Sequence, residues 1–252
     1  MSTTTRDLLE PQDNSSSDRS SASARSDVCV IIPVYNEAGV IADVVREVRE
    51  VFPNVVCVDD GSHDTSASEA ADAGALVVRH LVNLGQGAAL QTGLEFALAR
   101  WPEVDYVVTF DADGQHRIED AAAMVSEARR GEVDVVLGSR FLSDTQRIPP
   151  VRRVVLRGAV AFTRMTTGLP LTDAHNGLRV LTRSAASTIK LRLNGMAHAS
   201  EILEVIAKQR LRWTEVPIQI VYNDYSQSKG QSSINAVNIV FELLVNRVRV
   251  AR

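Results

Sequence analysis

The stretch YVVTFDADGQH, residues 106–116, runs a β-favouring apolar segment straight into two aspartates one residue apart, Asp111 and Asp113. Strand side chains alternate between faces, so the two carboxylates share a face if extended geometry persists. Like charges that close repel each other, and a divalent cation between them is the usual relief. The same residues, D-A-D-G, also read as a solvated turn that closes a strand. Taken alone the stretch favours the turn, so the flanking sequence decides.

Working outward, strand and helix patterns alternate. VCVII (28–32) is a short β-branched run ended by Pro33, and 38–51 places Val40, Ile41, Val44, Val45 and Val48 at helical spacing. VVCVD (55–59) is the next strand. Ser66 and Glu69 are spaced as a capping box, with Gly74 as the stop. ALVV (75–78), an alanine-rich helix over 87–100, YVVTF (106–110), a helix over 117–130 and VDVVLG (133–138) follow. The alternation predicts an α/β chain with a doubly wound, mostly parallel sheet. In such sheets the ligand sits beyond the carboxyl ends of the strands. PVYNE, DDGS, DADGQH and GSR each fall just after a predicted strand, which is hard to reconcile with four unrelated turns. The second half is less regular: helices over 152–166 and 198–209, strands over 177–183 and 211–221 (interrupted by Pro217), and a final helix over 234–249.

The 252 residues are 45% hydrophobic, enough for a sizeable core, and the net charge of −4 offers no broad basic field for nucleic acid. Cys29 and Cys57 lie inside apolar runs, which suits reduced, buried thiols; they pair only if their strands are neighbours. Residues 1–26 contain eight serines and read as a disordered tail. No run reaches the roughly 18 apolar residues of a membrane span, and no signal-peptide core opens the chain. The expected location is cytoplasmic.

Each polar cluster has a plain reading beside the functional one. Glu37 suits a helix start through the helix dipole alone, or belongs to a loop wrapping a base or ribose. Asp59, Asp60 and Gly61 form an Asp-Gly turn, or hydrogen-bond nucleotide hydroxyls and base nitrogens. NLGQGAA (83–89) opens a helix, where backbone N–H groups meet a phosphate or glycines serve close packing. It is neither G-x-G-x-x-G nor GxxxxGK[ST], which disfavours a dinucleotide or P-loop site.

Taken together and in this order, PVYNE, DDGS, N-x-G-x-x-x-A, D-x-D-x-Q-H and GSR resemble the family 2 glycosyltransferases of GT-A fold, in their polyprenyl-phosphate (dolichyl-phosphate mannosyltransferase-like) branch, over residues 28–230. The resemblance implies a single GT-A domain over 27–230, with a nucleotide-sugar half (27–140) and an acceptor half (141–230), followed by a C-terminal amphipathic helix over 231–252. It implies that Pro33, Tyr35, Glu37, Asp59, Asp60 and Gly85 bind the nucleotide sugar, and that Asp111, Asp113 and Gln115 hold Mg²⁺ or Mn²⁺ on its diphosphate. The implied catalytic set is Asp113, Arg140, Arg152 and Asp173. Arg140 and Arg152 reach phosphate on the acceptor side, where a planar guanidinium binds it bidentately; Arg153 and Arg157 read better as a solvated helix face. Asp173 belongs to TDAHNGLR (172–179), which resembles the family's D-x-x-x-G-x-R segment. Ser228 and Lys229 keep the S-K pair of a GESK-like acceptor loop, with Ser226 in place of its glycine. Haloacid-dehalogenase phosphatases carry D-x-D-x-T after their first strand; here the pair follows the fourth, and Gln115 replaces the threonine.

The implied activity is inverting, metal-dependent transfer of a sugar from a GDP- or UDP-sugar to polyprenyl phosphate. The same transfer to a soluble or polysaccharide hydroxyl is the alternative enzyme reading, and an inactive nucleotide-sugar-binding module is the non-enzymatic one. A hydroxyl acceptor needs a general base, for which Asp173 and Glu201 are the candidates. A phosphate monoester does not, because its second pKa is about 6. The final helix gathers Ile234, Val237, Val240, Phe241, Leu244 and Val248 on one face, with Arg247, Arg249 and Arg252 at its end. It reads first as a core-packing or homodimer helix, and it also fits peripheral binding to the cytoplasmic membrane surface.

Overall fold

The computed structural model describes residues 26–142, 150–174, 176–195 and 197–221. The tail up to Arg25, the final helix, and Ser228 and Lys229 lie outside these residues. Seven strands form one sheet: β1 (Val28–Val34), β2 (Asn54–Asp59), β3 (Leu76–Arg79), β4 (Tyr106–Thr109), β5 (Val135–Ser139), β6 (Arg179–Thr182) and β7 (Trp213–Pro217), in the order β3-β2-β1-β4-β6-β5-β7. The helices are α1 (Ile41–Val51), α2 (Ser66–Asp72), α3 (Gln86–Arg100), α4 (Ile118–Ala128), α5 (Pro150–Thr167), α6 (Arg183–Thr188) and α7 (His198–Lys208). Arg152 falls in α5, its side chain outside the described set.

The central strands are apolar along their whole length because both faces are covered. Val30, Ile32, Val34 and Cys57 pack beneath α1 and α4, while Cys29, Ile31, Val56 and Val58 pack beneath α3 and α7. The two cysteines therefore sit on adjacent strands but on opposite faces of the sheet, and both are free and buried. Strand β1 continues through Pro33 to Val34, two residues beyond the sequence expectation, with Pro33 in register opposite Val58.

Strands β1, β2, β3, β4, β5 and β7 point one way, and β6 runs antiparallel between β4 and β5. The carboxyl ends of β1, β2, β4 and β5 thus share one edge with the amino end of β6. This brings PVYNE, DDGS, DADGQH, GSR and the segment before Arg179 to one rim, as the doubly wound reading requires.

Candidate active site

The capping-box reading of Ser66 and Glu69 is corrected. Helix α2 starts at Ser66 itself, with Thr65 at the cap position. Ser66 Oγ accepts from the Glu37 N–H at 2.7 Å, and Glu69 Oε2 accepts from the Gly39 N–H at 2.7 Å. Asn36, at φ +54, donates its N–H to Ser62 Oγ (2.9 Å) and accepts from the His63 N–H (2.9 Å). The polar start of α2 therefore ties down the loop after β1. Tyr35 stands 42% exposed from that loop, where a flat ligand can stack on it.

Both carboxylates of DDGS are buried and already engaged by the chain itself. Asp59 accepts from the Ser62 N–H (3.1 Å) and from Arg79 Nε (2.9 Å). Asp60 accepts from the N–H groups of Leu84 (2.9 Å) and Gly85 (2.6 Å), and its Oδ1 lies 2.7 Å from His80 Nδ1. The residues expected to bind nucleotide thus also build the walls of the site. Gly85 sits at φ +96, and a β-carbon there would strike the Asn194 carbonyl, so only glycine fits.

Strand alternation does not reach Asp111 and Asp113, because β4 ends at Thr109 and a turn with Gly114 at φ +69 follows. The turn and the carboxylate site are the same residues. His116 Nε2 lies 2.9 Å from Asp111 Oδ2, and Gln86 Nε2 donates to Asp111 Oδ1 at 3.2 Å. Asp113 Oδ1 accepts from the Gln115 N–H at 3.0 Å, and Gln115 is buried in the same turn. Since a carboxylate only accepts, His116 carries its proton on Nε2, which leaves a buried Nδ1 with no partner.

The electrostatics of this turn ask for a cation. Burial pushes the Asp113 carboxyl up to about 6, and the charges of Asp111 and Glu37 push the same way. Burial also disfavours the charged form of Asp111, but the hydrogen bond and charge of His116, with Arg179 and His198 beyond, hold it below the usual carboxylate range. Among the described residues no three His, Cys, Asp or Glu side chains converge as a metal cage. Two hard carboxylates, one destabilised by the other, are a donor set that would fit a divalent ion.

At the carboxyl end of β5, Arg140 is not left pointing at solvent. Its Nε and Nη2 donate to Asp173 Oδ2 (2.6 Å) and Oδ1 (2.8 Å), and its backbone N–H donates to Oδ2 (3.1 Å). Glu215 in turn accepts from the N–H groups of Thr172 (2.8 Å) and Asp173 (3.0 Å). Arg179, 3% exposed, feels the charges of both Asp111 and Asp173, and its Nη1 has no hydrogen-bond partner. Burial lowers its pKa to about 10, against the opposing pull of Asp111 and Asp173.

Residues 29–189 of this chain match the family model "Glycosyl transferase family 2". The chain belongs to that family. It is a glycosyltransferase, with the strand-end motifs of the family gathered on one rim.

Among its relatives is the UDP-N-acetylglucosamine–dolichyl-phosphate N-acetylglucosaminyltransferase of Methanococcus voltae, 30% identical, with the alignment covering 86% of this chain and 95% of that one. The undecaprenyl-phosphate mannosyltransferase of Micrococcus luteus is 29% identical over 88% of this chain and 93% of its own. These names agree with the polyprenyl-phosphate branch to which the motifs pointed. Glucosyl-3-phosphoglycerate synthase of Mycobacterium tuberculosis, solved with Mn²⁺, UDP-glucose and phosphoglyceric acid, has the same fold, with a TM-score of 0.61 at 19% identity over 89% of this chain and 80% of that one.

Within this glycosyltransferase the structure adds Gln86, His116, Arg179 and Glu215 to the residues singled out from sequence. Gln86, His116 and Arg179 stood inside the quoted motifs NLGQGAA, DADGQH and TDAHNGLR without a role of their own. Glu215 carried a signal too, as a lone acid in a short apolar strand.

Proposed function

We infer that this family 2 glycosyltransferase transfers a sugar from a nucleoside diphosphate sugar to a polyprenyl phosphate, with inversion at the anomeric carbon. What favours a phosphate acceptor over a hydroxyl is the state of the two candidate bases. Asp173 is bound through both oxygens to Arg140. Glu201 accepts from the N–H groups of Arg192 (2.9 Å) and Leu193 (2.9 Å). A phosphate oxygen is already anionic near neutrality and needs neither.

The loop of Pro33, Tyr35 and Glu37, held by Ser62 and Ser66, receives the nucleoside together with Asp59, Asp60 and Gly85. Asp111 and Asp113, with Gln115 beside them, would hold Mg²⁺ or Mn²⁺, and the ion would neutralise the leaving diphosphate. Arg140, fixed by Asp173, presents positive charge to the acceptor phosphate; Arg152, Ser228 and Lys229, assigned to the same acceptor from the sequence, have side chains outside the described set. A phosphate oxygen of the acceptor forms the new bond to the anomeric carbon as the bond to the diphosphate breaks. The electron pair leaves on the diphosphate, and no proton has to be removed from the nucleophile. The relatives named for lipid phosphate acceptors support this reading. Among the described residues no helix is long and apolar enough to cross a membrane, so the described part of the chain would meet its lipid from the membrane surface.

The test is transfer from a panel of radiolabelled GDP- and UDP-sugars into added polyprenyl phosphate, with Mn²⁺ or EDTA as the switch. A labelled, mild-acid-labile lipid that vanishes with EDTA is expected. Nucleotide binding without lipid label from any donor would move the acceptor to a soluble hydroxyl compound.

A further inference from the structure

His80 and Thr92 stand outside the set of residues assigned to the reaction above. His80 follows β3, and its side chain, 10% exposed, is wedged between Asp60 and α3. Its Nδ1 is 2.7 Å from Asp60 Oδ1 and its Nε2 is 2.9 Å from Thr92 Oγ1. Because a carboxylate only accepts, Nδ1–H donates to Asp60, and Nε2 shares a hydrogen bond with the Thr92 hydroxyl. Asp60 spends its remaining capacity on two consecutive amides, Leu84 and Gly85, at the entrance to α3. The next residue, Gln86, donates its side-chain amide to Asp111. One run of polar contacts therefore leads from Thr92 through His80, Asp60 and the loop to the carboxylate expected to hold the metal.

The loop backbone passes close to Gly61, but none of its apolar side chains is buried. Leu81 is fully exposed, Val82 is 62% exposed and Leu84 is 44% exposed. Segments without buried apolar contacts depend on their hydrogen bonds for order. Helix α3 is different, because Ala89, Leu90, Leu94 and Ala97 anchor it in the core. Removing His80 should therefore loosen the loop before it disturbs the helix or the sheet.

We propose that His80, oriented by Thr92, is a positioning residue for the donor site: it fixes the Asp60 carboxylate, which sets the loop over residues 82–85 and, through Gln86, the aim of Asp111. The nature of the donor rests on the function inferred above, whereas the holding of the loop does not. The experiment compares wild type with His80→Leu, Thr92→Val and His80→Asn. Amide hydrogen exchange is read at Leu84 and Gly85, and binding of UDP and GDP with Mn²⁺ is followed by calorimetry.

In His80→Leu, exchange at Leu84 and Gly85 should accelerate while β1 and β4 keep their protection. Nucleotide affinity should fall roughly tenfold, the scale of one hydrogen bond to a charged group. Thr92→Val should move both readouts the same way by less. His80→Asn, whose side-chain N–H can stand in for Nδ1–H, should restore loop protection. Unchanged exchange at both amides in a folded His80→Leu overturns the proposal, as does faster exchange with unaltered nucleotide affinity. Should His80→Leu fail to fold, Thr92→Val, which lacks only a hydroxyl, carries the same test. A wild type that binds neither nucleotide overturns the donor reading, and the exchange rates then decide the holding of the loop alone.

Discussion

Arg140 and Asp173, 33 residues apart in the chain, meet in a buried two-pronged ion pair at 2.6 and 2.8 Å. Removing one partner of such a pair strands the other charge, at a cost of about 3–5 kcal/mol. Asp173→Ala should therefore lower Tm by roughly 6–20 °C, for a chain of this size, and abolish transfer. The double variant Arg140→Met, Asp173→Leu should recover much of the Tm but none of the activity. Calorimetry and a transfer assay on the three proteins check both halves, and an undiminished Tm in Asp173→Ala would show that the pair is dispensable to the fold.

Asp113 carries the pH dependence. Burial and the charge of Asp111 raise its pKa in the fold from 3.8 to about 6, so the metal-free fold holds this proton more tightly than the unfolded chain does. Its contribution to stability is therefore favourable at low pH and is lost as pH rises from about 4 through about 6. Asp113→Asn should make the metal-free protein more stable at pH 7 and flatten that part of the Tm–pH curve, while cutting metal-dependent turnover by roughly a hundredfold or more. In wild type, Mn²⁺ affinity should weaken below about pH 6 as protons compete for the same carboxylate. Mn²⁺ titrations at several pH values decide it, and a pH-independent affinity would sink the assignment.

Ser66 holds the loop after β1 through one hydrogen bond to the Glu37 N–H. Ser66→Ala should cost about 1 kcal/mol of stability. Its larger effect should be a several-fold rise in donor KM with a smaller change in kcat, because the loop expected to hold the nucleoside loses a fixed point. Steady-state kinetics with varied donor separates the two parameters.

The thiols should be silent in the native state. Burial pushes Cys57 up to about 12 and Cys29 higher still, so neither ionises near neutrality. A thiol reagent should label neither until the sheet opens, then both together, and fast labelling of either in the folded protein would contradict its position in the core.

The repeat of strand and helix through Ser139 was legible because apolar period and β-branching mark it, and the four polar clusters at its strand ends located the rim. What was not legible depends on distant partners. Periodicity gives a strand no direction, so RVLT read as a strand without showing that β6 enters antiparallel between β4 and β5. Asp60 reads as a ligand-facing acid, and only the fold shows that it also holds the amides of Leu84 and Gly85. Ser66 and Glu69 have the spacing of a capping box, yet Ser66 Oγ and Glu69 Oε2 accept from the neighbouring loop, and Glu69 Oε1 accepts from the hydroxyl of Thr65, the actual cap residue. Arg140 and Asp173 came from separate motifs, and only the fold makes them a pair.

The inserted strand also limits how such a chain can be recombined. Strand β5 touches β4 nowhere in the sheet and is joined to it through β6, which arrives some forty residues later. A fragment ending at Arg140 would carry β5 without the partner that seats it and leave one side of β4 bare, an open edge that invites aggregation. Grafting the later segment from a relative would exchange a slat from the middle of the sheet rather than a flap at its rim. A chimera would have to reproduce the pairings of Arg179 with both Thr109 and Leu137 before the sheet could close.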